Sequence, residues 1–154
     1  MTFLTDLGAA MALQSTDRPA ALAAMMRMWD ALDAEDRAGR CILAHYIADL
    51  QESLPDEVRW DETALAASKG VTDEDLQKLH PTLRIAGFVP SLQLNLADGY
   101  RRLGRLDSAA RALDASVPHN DDLPAELPEQ VAYREMILTG QSGVAQKIAA
   151  GVTD

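Results

Sequence analysis

Apolar residues recur along the chain at intervals of three and four positions, which places them on one face of an α-helix. No stretch alternates steadily between apolar and polar residues, so we predict no β-sheet. The apolar intervals and the glycines and prolines that interrupt them predict helices over about residues 2–14, 17–32, 36–52, 55–69, 72–83, 91–103, 107–117 and 127–150. The predicted fold class is therefore all-α.

The predicted helices have recognisable ends. The expected N-terminal caps are Thr2 or Thr5, Asp17, Asp107, and Thr72 with Asp75 three residues later. Gly70 and Gly104 are expected to end helices because glycine readily adopts the backbone conformation that a helix end requires. In the last helical region, Gly140 and Gly143 are expected to interrupt the helix.

The length of 154 residues suits one hydrophobic core, so we predict a single helical domain over residues 1–154. Hydrophobic residues make up 47% of the chain and aromatic residues only 5%. The apolar residues are chiefly alanine, leucine and methionine, a composition typical of close-packed helices. Within this domain, residues 119–126 are predicted to form a polar linker to the C-terminal helical segment.

The formal net charge of -10 at pH 7 argues against general binding of nucleic acid or anionic membrane, because both would repel most of the surface. No apolar run is long enough to span a bilayer, and the N-terminal residues lack the basic start of a secretory signal. A single cysteine, Cys41, cannot form an internal disulfide. We therefore expect a cytoplasmic protein.

One region of the chain is basic, because residues 84–111 hold five basic and two acidic side chains. This region carries, in order, Leu96, Ala97, Tyr100, Gly104, Leu106, Asp107, Ala109 and Leu113. The order resembles a helix hairpin of the tetratricopeptide repeat (TPR) family, and the match is best over residues 91–117. The resemblance implies antiparallel helix hairpins stacked as a short TPR-like α-α superhelix, with a non-repeating helical bundle as the alternative.

In the TPR family, the inner face of a hairpin's first helix lines a groove that holds peptides. The resemblance places five residues on that face: Ser91, Leu94, Asp98, Arg101 and Arg102. Helical spacing adds Arg105, one turn after Arg101, and a pair of guanidinium groups suits a carboxylate or phosphate of a partner. The alternative is that Asp98 neutralises Arg101 and Arg102 from one turn away.

The leading hypothesis is a protein-interaction module that binds a peptide or helix of another protein in this groove. Pairing with a second copy of the chain is a further alternative. The rival hypothesis is a small enzyme or ligand sensor with a pocket near His45, Tyr46 and Trp60. The chain has no paired metal-ligand spacing, phosphate loop or nucleophile motif, so we predict no catalytic residue, metal or cofactor.

Residues 64–79 also resemble a DNA-binding helix-turn-helix, since a glycine-containing turn joins two helical segments. The second segment, however, begins with three carboxylates, those of Asp73, Glu74 and Asp75. Carboxylates at the start of a recognition helix would be repelled by the DNA phosphates. DNA binding is therefore disfavoured.

Overall fold

The computed structural model describes residues 2–154, and this part of the chain is helical with no β-strand. The α-helices are α1 (Phe3–Leu13), α2 (Arg18–Ala31), α3 (Arg37–Asp49), α4 (Leu54–Ser68), α5 (Asp73–Gln77), α6 (Val89–Arg102), α7 (Leu106–Ser116) and α8 (Pro128–Ala149). Short 3₁₀ helices span Ile85–Gly87 and Val117–Asp122. The predicted all-α class is confirmed. Among the described helices, none is long and apolar enough to cross a membrane.

The described residues divide into two compact units. Helices α1 to α5 belong to the first unit, which ends at Leu83, and α6 to α8 belong to the second, Arg84–Asp154. The single domain over residues 1–154 stays a prediction from chain length.

In the first unit, α3 and α4 pack along each other, and α2 contacts both α1 and α3. Helix α3 contributes more buried apolar side chains than any other helix of this unit, among them Ile42, Leu43 and Ile47. At one edge of this core, the rings of Trp29 and Trp60 stack edge to face with centroids 4.9 Å apart. The Arg40 guanidinium lies over the Trp29 ring, 4.5 Å from its centroid. These contacts tie α2, α3 and α4 together.

Most predicted caps of the first unit are confirmed. The Thr2 hydroxyl accepts a hydrogen bond from the Thr5 amide at 3.2 Å, and the Asp17 carboxylate accepts one from the Ala20 amide at 2.9 Å. Thr72 and Asp75 form the predicted capping box, with both reciprocal hydrogen bonds at 3.1 Å. These hydrogen bonds satisfy amides that a helix start leaves without an intrahelical partner.

In the second unit, α6 and α7 form a hairpin around Gly104, as predicted. Gly104 has a φ of +80°, a conformation that side chains with a Cβ rarely adopt. The Gly104 amide donates to the Arg101 carbonyl at 2.9 Å, and the Arg105 amide donates to the Tyr100 carbonyl at 2.8 Å. This pair of hydrogen bonds is the Schellman motif that ends many helices.

Some predicted boundaries are wrong. Asp107 does not cap α7, because the helix begins at Leu106 and Asp107 lies inside its first turn. The helix predicted over residues 72–83, with a bend or restart around Pro81, ends earlier, at Gln77, since proline disfavours helical backbone before it. Part of the predicted polar linker, up to Asp122, lies in a 3₁₀ helix.

The predicted interruption of the last helix is also wrong, because α8 continues through Gly140 and Gly143. The position of Gly140 has a packing reason. A Cβ at this position would lie 3.0 Å from Leu94 Cδ2, so the glycine allows α8 to pack closely against α6. Packing of this kind compensates for the low helix propensity of glycine.

Candidate functional site

The six residues predicted to bind a partner lie on α6 and at the turn that follows it. Their side chains differ in exposure: Ser91 and Arg101 are buried, Leu94, Asp98 and Arg102 are half-buried, and Arg105 is exposed. Arg101 is only 2% exposed. The guanidinium pair that helical spacing predicts therefore consists of one buried and one exposed side chain.

Asp98 forms ion pairs with both neighbouring arginines. Its Oδ1 atom accepts from Arg101 Nη2 at 2.7 Å and from Arg101 Nε at 3.0 Å, while its Oδ2 atom accepts from Arg102 Nε at 3.0 Å. The two nitrogens from Arg101 suit the fork geometry of a guanidinium group. The alternative in which Asp98 neutralises both arginines is thus the arrangement in the structure.

The remaining donors of Arg101 bind the segment that follows α8. Arg101 Nη1 donates to the Val152 carbonyl oxygen at 3.2 Å and to the Asp154 main-chain oxygen at 3.0 Å. This segment begins with a second Schellman turn at Gly151, whose φ is +70°. Arg101 therefore holds main-chain oxygens of its own chain in a buried position.

The side of α6 that carries Leu94 packs against α8. A polar network links α8 to the end of α7 and to the 3₁₀ helix that follows it. Gln141 Nε2 donates to Ser116 Oγ and to Asn120 Oδ1, both at 2.8 Å. Asn120 Nδ2 returns a bond to Gln141 Oε1 at 2.8 Å, and Ser116 Oγ donates to the Pro90 carbonyl at 2.7 Å. Leu94 and Arg101 of α6 therefore already contact residues of their own chain. A role in binding a partner stays a prediction for all six.

The first half of α8 differs from α6, because most of its large apolar side chains are exposed. We call these residues and the preceding leucine the α8 surface: Leu127, 51% exposed, Val131, 38%, Tyr133, 41%, Met136, 59%, and Leu138, 39%. Ile137, which lies between the exposed Met136 and Leu138, is buried together with Gln141 and Val144, and these three residues anchor α8 to the unit. The apolar half-helix is thus held in a fixed position.

Sequence reasoning missed the α8 surface, although the sequence contains a signal for it. Apolar residues of the segment 131–138 occur on several sides of the helix rather than on one stripe. A helix of this kind buries one side in its own domain and leaves the others for another contact or for solvent. The sequence pattern alone does not show which side of the helix is buried in its own domain and which sides are exposed.

Acidic side chains surround the α8 surface. Five exposed carboxylates lie in or just before the first half of α8: Asp121, Asp122, Glu126, Glu129 and Glu135. Arg134 is the one basic residue between positions 121 and 139, and it pairs with Asp121 at 3.5 Å. Residues 121–138 therefore combine exposed apolar side chains with an excess of negative charge.

The rival hypothesis places a pocket near His45, Tyr46 and Trp60, but none of these three residues lines the cleft found in the first unit. That cleft has a volume of about 540 Å³ and is lined by Arg18, Pro19, Leu22, Ala23, Leu50, Gln51, Glu52, Ser53 and Asp56. The His45 and Tyr46 rings contact each other, with centroids 5.6 Å apart, whereas Trp60 stacks on Trp29.

Three titratable side chains of α3, those of Cys41, His45 and Asp49, have shifted pKa values. Burial lowers the pKa of His45, and the nearby Asp49 carboxylate opposes this effect. Burial raises the pKa of Cys41 to about 12, so this thiol stays protonated at neutral pH and is a poor nucleophile. Among residues 2–154, no group of three or more His, Cys, Asp or Glu side chains is arranged to hold a metal ion.

Comparisons with protein-family models, with curated proteins and with solved structures found no match to this chain.

Proposed function

We propose that this protein is a protein-interaction module, and that the α8 surface is where its partner binds. The observation that carries the proposal is the exposure of the α8 surface, with Met136 at 59% and Leu127 at 51%. Several large apolar side chains exposed on one short segment of a folded protein favour a contact with another molecule. The TPR-like hairpin of α6 and α7 supports the same function, because that family serves protein recognition.

The proposal places the contact on α8 rather than on α6. The α6 residues Leu94 and Arg101 already contact Gly140 and the segment after α8. An incoming peptide would have to displace these contacts, whereas the α8 surface is accessible without any rearrangement. Rigid presentation of an apolar helix also reduces the entropy lost when a partner binds.

The test is site-specific photo-crosslinking in cells of the native source. A benzophenone amino acid replaces Met136 on the α8 surface, Arg105 in the basic region, or Glu62 on α4 as the control; all three side chains are exposed. We expect the Met136 position to yield a covalent adduct with one discrete protein, identified by mass spectrometry. The Glu62 position should not yield that adduct.

The Arg105 position separates the two candidate surfaces. If only Arg105 yields the adduct, the partner binds the basic region near α6 and the α8 assignment is wrong. If neither position gives an adduct beyond the level at Glu62, the interaction function itself is wrong.

A further inference from the structure

We draw no further inference here: the strongest candidate, the exposed apolar side chains on the two flanks of the first half of α8, belongs to the surface already described, and nothing in the structure shows what covers it.

Discussion

Arg101 illustrates how one side chain can depart from its expected role. The resemblance to the TPR family implies that it faces a partner, yet it is 2% exposed and binds Asp98, Val152 and Asp154. A buried guanidinium group is stable only when its donors are satisfied and its charge is paired. The main-chain oxygens after α8 and the Asp98 carboxylate meet both conditions. The residue therefore joins the end of α6 to the end of the chain described here.

Replacing Arg101 should consequently reduce stability. We expect Arg101→Ala to lower the free energy of unfolding by about 2–4 kcal/mol, because the packing of a buried side chain is lost and the half-buried Asp98 carboxylate and Val152 carbonyl lose their donor. Arg101→Lys should recover only part of this loss, since an ammonium group lacks the fork of donors. Urea denaturation followed by far-UV circular dichroism measures the change. Arg105→Ala, at an exposed position, is the control, and an equal loss in both variants would contradict the role assigned to Arg101.

His45 predicts how stability depends on pH. Burial lowers its pKa in the folded protein, so the unfolded chain binds a proton more readily as pH falls through about 6.5. Stability should therefore decrease between about pH 7.5 and pH 5.5. Burial raises the pKa of Asp49, which acts in the opposite sense, because the folded protein then binds the carboxyl proton more readily than the unfolded chain.

The measurement uses urea unfolding followed by tryptophan fluorescence. Both tryptophans, Trp29 and Trp60, belong to the first unit, so their emission reports on the unit that contains His45. In His45→Gln, the loss of stability between the two pH values should be smaller than in the wild type. An unchanged loss would show that other groups control this pH range.

At the scale of elements, α8 shows that helix propensity does not decide alone. Gly140 and Gly143 both lie inside the continuous helix, but only Gly140 closely faces another element. A Cβ at Gly140 would lie 3.0 Å from Leu94 Cδ2, whereas a Cβ at Gly143 would meet nothing within 4 Å. The two glycines therefore differ in what an alanine would do.

We expect Gly143→Ala to stabilise the protein by about 0.5–1 kcal/mol, because alanine restricts the unfolded chain and favours helix. Gly140→Ala should be less stable than Gly143→Ala by about 1 kcal/mol or more, since the added methyl group must push Leu94 aside. Thermal unfolding followed by circular dichroism compares the two variants. Equal stabilisation by both would show that the contact between α6 and α8 is not tight.

At the scale of the whole molecule, the chain forms two units whose helices pack on their own neighbours. In the second unit, α6, α7 and α8 contact one another and bury Leu92, Leu96 and Ile137. A core of this kind can support folding without the remaining chain, although small units are marginally stable.

We therefore expect residues 84–154, produced alone, to be helical and to unfold cooperatively. Far-UV circular dichroism during a thermal scan makes the measurement, with the full-length protein as reference. A broad, non-cooperative change would show that the second unit depends on the first and would favour the single domain predicted from chain length.

The helical class and most helix ends follow from local sequence patterns. Thr2, Asp17 and the pair Thr72 with Asp75 bond to amides only three positions away, and Gly104 sets its turn through its own backbone freedom. Interactions over such short separations depend on few residues, so a local pattern predicts them well. At Gly140, where the predicted interruption is wrong, close packing of α8 against Leu94 outweighs the low helix propensity of glycine.

Which side chains are buried, by contrast, depends on contacts between residues that lie far apart in the sequence. Arg101 meets Val152 across 51 positions of sequence, and Gln141 meets Ser116 across 25. No local pattern encodes such a distant pairing, because it depends on how whole helices pack. The same packing buries Ile137 and leaves Met136 exposed, although the two residues are adjacent and both apolar. The sequence thus supplied an apolar helix, and its position in the fold left one half of it open to solvent.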